Sequence, residues 1–100
     1  MSPDEIEARI VRAYVQLACT PETDGSRTVT IARFGALEAR LTEVPETQRL
    51  PSLPWFWLEL YSNAHRVVID SCGCTELDEL ELGRAVEFIA DAQHGGQSLH

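Results

Sequence analysis

Trp55-Phe56-Trp57-Leu58-Glu59-Leu60-Tyr61 is the stretch on which the fold turns. Aromatic and aliphatic side chains crowd it, as in a strand half buried against a core. Ser62-Asn63-Ala64-His65 then offers a turn, and Arg66 to Ser71 a second apolar run, so a hairpin is expected. With Asn63-Ala64 at the tip, Leu60 opposes Val67 and Leu58 opposes Ile69, which gathers the aliphatic side chains on one face. That face is expected to be the core. The other carries Trp55, Trp57, Glu59 and Tyr61 opposite Cys72, Asp70, Val68 and Arg66.

Upstream, Val44 to Pro54 contains three prolines and no clear period, so it reads as a connecting loop. Its eleven residues are long for a compact domain, and loops of that length often act as lids or binding segments. Before it the period is two: Val29 and Ile31 share a face, and Leu37, Ala39 and Leu41 alternate with Glu38, Arg40 and Thr42. A three-residue loop Phe34-Gly35-Ala36 would set Arg33 against Leu37, Ile31 against Ala39 and Val29 against Leu41. A one-residue slip would put Ile31 against Glu38 and is disfavoured. Gly35 to Leu41 is also good helix composition, which leaves a short helix over Ala36 to Leu41 as the competing reading.

The ends read as helices. Ser2-Pro3-Asp4-Glu5 has the form of a capping box, and Ile6, Ile10, Ala13, Tyr14 and Leu17 line one helical face. Thr20-Pro21 stops that helix and Asp24-Gly25 supplies a turn. Thr75 or Asp78 can cap a last helix, because Asp78-Glu79-Leu80-Glu81 repeats the box, with Leu82, Ala85, Val86, Ile89 and Ala90 as its apolar stripe. Gly95-Gly96 is read as its end and residues 97–100 as a disordered tail. The whole is an α+β fold: two layers, an antiparallel sheet of about four strands in two hairpins, flanked by an N-terminal and a C-terminal helix. One hundred residues suit a single domain, here 1–96.

Composition narrows the partners. Eight arginines, no lysine and sixteen acids give a net charge of −8, which disfavours nucleic acid and anionic membrane surfaces. Residues 51–100 are the acidic pole, with two arginines against eight acids. Without lysine there is no Schiff base and no Walker-type phosphate cradle. The uncharged run Leu50 to Leu58 is nine residues, against about 20 for a membrane-spanning helix. The acidic start lacks the form of a secretory signal, and three cysteines fit reduced thiols, so a cytoplasmic address is expected.

Trp55, Trp57 and Tyr61, with Glu59 among them, form the leading candidate site, because large rings with polar tips resemble the anchors of protein interfaces. The competing account is that a helix or the Val44–Pro54 loop covers the rings. A non-catalytic protein-interaction domain is therefore expected, adaptor-, inhibitor- or chaperone-like. Its partner is another protein or a second copy in a homodimer, and its acids favour basic partners. No cofactor motif is present, so none is expected. The alternative is a thiol site, metal-binding or redox, at Cys72-Gly73-Cys74, whose sulfurs would project to one side of a strand. Small thiols in a turn before a helix are the simpler account, since acids crowd them and a metal would need further ligands from afar. His65, Asp70 and Ser71 supply triad residue types, but the pleat turns Asp70 and Ser71 to opposite faces. Glu76, Asp78, Glu79 and Glu81 lack the calcium-loop pattern and read as a solvated helix start.

Overall fold

The computed structural model describes residues 1–19 and 27–98. The chain runs α1 (Pro3–Cys19), β1 (Arg27–Phe34), β2 (Leu37–Glu43), a 3-10 turn over Glu46–Gln48, β3 (Phe56–Ser62), β4 (Val67–Cys74) and α2 (Glu79–Ser98). The strands form one antiparallel sheet in the order β1-β2-β3-β4. This is the expected two-layer α+β architecture, and β2 is a strand, not the competing helix.

Pleat parity divides the sheet. Phe56, Leu58, Leu60 and Ser62 of β3 are buried, as are Ala39 and Leu41 of β2. The apolar members of this set form one core with Ile6, Ile10, Ala13 and Leu17 of α1 and Ala85, Ile89 and Ala92 of α2, so both helices lie on that face. The Ser2 hydroxyl accepts the Glu5 N–H at 3.2 Å, which starts α1 with Pro3 as its first residue. Asp78 caps α2 in the same way, its Oδ1 accepting the Glu81 N–H at 2.9 Å.

Both hairpin registers depart from expectation. Gly35 adopts φ 62, so Gly35-Ala36 makes a two-residue turn with Phe34 opposite Leu37, Arg33 opposite Glu38 and Ala32 opposite Ala39. The pairing near the turn is thus offset by one residue from the expected one. A bulge between Thr30 and Ala32 cancels the offset, leaving Ile31 as the extra residue, and Val29 faces Leu41 as expected.

In the second hairpin the connection is Asn63 to Arg66, not a two-residue tip at Asn63-Ala64. The two-residue turn of the first hairpin opens on a glycine at positive φ, which Asn63-Ala64 does not offer. The longer turn is fastened by Ser62, whose Oγ accepts the His65 N–H and whose carbonyl accepts the Arg66 N–H, with Arg66 itself at φ 57. Ser62 therefore meets Val67, Leu60 meets Asp70 and Leu58 meets Cys72, with Ile69 the extra residue of a second bulge. Val67 and Ile69, expected in the core, are exposed at 49% and 51%.

α2 continues through Gly95-Gly96 to Ser98, so neither glycine ends it and residues 97–98 of the expected tail are helical. Two glycines lower helix propensity without forbidding the helix. The expected stop at Thr20-Pro21, the Asp24-Gly25 turn and residues 99–100 of the expected tail lie outside the described residues. No helix among the described residues is long and apolar enough to cross a membrane.

Candidate interaction surface

The face of the sheet away from the helices is assembled from alternate residues of all four strands. β1 gives Thr28 and Thr30, β2 gives Glu38, Arg40 and Thr42, β3 gives Trp57, Glu59 and Tyr61, and β4 gives Val68, Ser71 and Gly73. No helix among the described residues covers it. Its polar residues interlock across strands. Thr28 and Thr42 hydroxyls lie 3.0 Å apart, and Thr42 donates to Glu59 at 2.6 Å. Thr30 donates to Glu38 at 2.6 Å, and Arg40 Nε to the same oxygen at 3.1 Å. Arg33 approaches the other Glu38 oxygen at 3.8 Å. The Thr30 hydrogen bond, then that from Arg40, outweighs desolvation and holds the Glu38 carboxyl below its ordinary pKa. Glu38 therefore stays ionised although its residue is buried.

Two rings flank this network. The Arg40 guanidinium lies 3.9 Å from the centre of the Tyr61 ring. Trp57, half-buried, stands opposite Gly73, where a side chain would collide with both its ring and Pro54. Trp57, Glu59 and Tyr61 therefore share the helix-free face.

Trp55 does not join them. It precedes β3, its N–H donates to the Cys74 carbonyl at 3.0 Å, and its ring lies under the Arg49 guanidinium at 5.2 Å. It lines a shallow cleft at the helix side of the sheet with Tyr14, Leu17 and Phe56. There Glu43, buried, accepts Arg27 Nε at 2.9 Å and meets Arg49 at 3.6 Å, while Arg27 also donates to the Leu17 carbonyl. These bonds tie the last turn of α1 to the strand ends. Sequence reasoning singled out none of Arg27, Glu43 and Arg49, because an Arg-Glu pair 16 residues apart carries no local signal.

The Val44–Pro54 loop is folded onto the sheet end. Val44 N–H donates to the Trp55 carbonyl and Arg49 Nε to the Val44 carbonyl. Cys72 and Cys74 sit on the helix side of the sheet: Cys74 is fully buried and Cys72 half-buried. Burial, and then the neighbouring Cys72, push the Cys74 thiol up to about 12. No group of three His, Cys, Asp or Glu side chains that could hold a metal ion occurs among the described residues.

Within the acidic run, Glu81 has a structural use that the sequence reading missed. Its carboxylate accepts the N–H groups of Thr75, Glu76 and Leu77 at 2.8 to 3.2 Å, bracing the β4–α2 connection where Leu77 takes φ 51. Desolvation raises its pKa, but the three backbone donors more than offset that and the net shift is downward. The reach of Glu81 back from the first turn of α2 was legible only as a capping-box pattern. Comparison of the chain with protein-family models, with curated proteins and with solved structures finds no match.

Proposed function

We propose that the protein is a non-catalytic, cytoplasmic protein-interaction domain that binds another protein chain through the helix-free sheet face, with Trp57 and Tyr61 as anchors and Glu59 between them. The observation that carries this reading is that two large aromatic side chains sit half-buried on a face that no helix among the described residues covers. Rings held this way present apolar area at little entropic cost on binding. The interlocked threonines, Glu38 and Arg40 keep the surrounding platform rigid and supply hydrogen-bonding edges. Charge argues against nucleic acid as the partner. A thiol site is the weaker reading, because a thiol raised to about 12 supplies almost no thiolate at neutral pH.

The test is site-specific photo-crosslinking in cells, with the probe at Thr28 or Ser71 on this face and at Glu7 on α1 as control. A discrete adduct from the sheet positions, lost on Trp57→Ala or Tyr61→Ala in protein with an unchanged circular dichroism spectrum, is expected. Equal adducts from Glu7, or none from the sheet, would overturn the reading.

A further inference from the structure

β1 is an edge of the sheet, so one row of its backbone groups has no strand partner. Beside that edge runs a groove lined by Arg9, Arg12 and Gln16 of α1 and by Val29, Thr30 and Ile31 of β1. At about 280 Å³ the groove is smaller than ordinary small-molecule pockets, and three successive strand residues form its wall. It suits a row of side chains better than an enclosed ligand.

The chain carries a net charge of −8, yet this groove is basic. Arg9 and Arg12 stand three positions apart on one face of α1, close enough to repel. The carboxylates bonded to this region are already engaged: Glu5 with Arg9 at 3.6 Å, Glu38 with Thr30 and Arg40, and Glu43 with Arg27. Arg12 is exposed and has no carboxylate partner among the described residues. Folding therefore places positive charge beside an unpaired strand edge and neutralises only part of it.

We infer that the β1 edge docks an extended acidic segment of another protein, which adds as a fifth strand beside residues 27–30 and turns alternate carboxylates toward Arg9 and Arg12. Backbone pairing supplies the common part of the affinity and the two arginines supply the choice of sequence. In an added strand, residues two apart project to one side about 6.8 Å from each other. Arg9 and Arg12 are offset by about 4.5 Å along the helix axis, and their long side chains take up the difference. An acid–x–acid spacing therefore matches the groove, with the intervening side chain on the side of Thr28 and Thr30. The Arg9 donation to the Ile31 carbonyl at 3.3 Å closes the edge at the bulge and fixes where the pairing stops. A basic segment would meet like charge, and a nucleic acid strand lacks the amide row that the edge pairs with. The inference does not rest on Trp57 or Tyr61, which lie on the sheet face and not at this edge.

Fluorescence anisotropy with a labelled, end-blocked peptide Ser-Glu-Val-Glu-Val-Glu-Ser, titrated with the full chain, tests it. Saturable binding is expected. Arg9→Gln and Arg12→Gln each weaken it about threefold or more, the range of an exposed ion pair, and Arg9→Glu/Arg12→Glu abolishes it. Arg66→Gln, at an exposed arginine of the β3–β4 turn, leaves it unchanged. Circular dichroism checks that each variant keeps the fold. Two further peptides, N-methylated at the valines or at the glutamates, test strand addition, because only one row of amides faces the edge: one is expected to bind and the other to fail. Absence of saturable binding up to millimolar chain would overturn the inference. So would binding indifferent to the Arg9 and Arg12 variants, equal binding of both methylated peptides, or equal binding of Ser-Val-Val-Glu-Glu-Glu-Ser. Tighter binding of a single-stranded oligonucleotide of the same charge would overturn it in favour of a nucleic-acid site.

Discussion

Gly73 shows how one missing side chain holds two elements together. A Cβ at this position would lie 2.5 Å from Pro54 Cγ and 3.3 Å from the Trp57 ring. The proline ring is stiff and the contact is too close for any relaxed geometry, so neighbours must move. Gly73→Ala is expected to destabilise the fold by about 1 to 3 kcal/mol, the range for overpacking, read as a lowered denaturation midpoint with an unchanged m-value. Trp57 fluorescence should shift in the same variant, because the ring is the second neighbour to be displaced. In the sequence Gly73 stands out only as the residue between two thiols; its neighbours in space come from a loop and a strand 16 to 19 positions earlier. Spacing along the chain carried no trace of that approach.

The elements themselves were legible because each is specified locally. Ser2-Pro3 and Asp78 mark helix starts, and apolar residues at steps of three and four mark the buried stripes. Asp78→Ala removes the acceptor of the Glu81 N–H and is expected to cost about 1 kcal/mol, measured by chemical denaturation. Asp78→Gly should cost only a few tenths of that unit, which separates capping from propensity. Strand pairing was legible only in part. The faces of β2 and β3 follow from alternation, but register depends on turn geometry, and both turns differ in length from the expected ones. Two bulges then shift one segment of each outer strand by a residue, bringing Ala32 into the core beside the expected Ile31 and leaving Ile69 outside it. Alternation cannot reveal an inserted residue whose position is set by what the neighbouring strand offers.

At the scale of the whole molecule, the ionised carboxylates that brace the fold set its response to acid. Glu38 clamps the outer sheet face and Glu81 the β4–α2 connection, and both have pKa values lowered by folding. A lowered value means that the unfolded chain binds the proton more readily. The stability each contributes is therefore complete above the ordinary glutamate range, about pH 4 to 5, and is lost as pH falls through the depressed values. The melting temperature is expected to fall with acidification below about pH 4, and the slope to be shallower in Glu38→Gln/Glu81→Gln than in the wild type. A slope unaltered by both substitutions would assign the acid response to other groups.

By itself the sequence determined the element order, the two-layer class and the buried stripe of each helix, because capping and periodicity act within a few residues of one another. It also placed Trp57, Glu59 and Tyr61 on the face opposite Leu58 and Leu60, since pleat parity needs only the strand itself. Tertiary structure alone decided that Trp55 turns toward Arg49 and the end of α1, that Glu43 is gripped by Arg27 and Arg49, and that Val67 to Ile69 line an open edge. Those outcomes depend on turns, bulges and side chains far apart in the chain, whose energies are settled only when the whole sheet and both helices pack together.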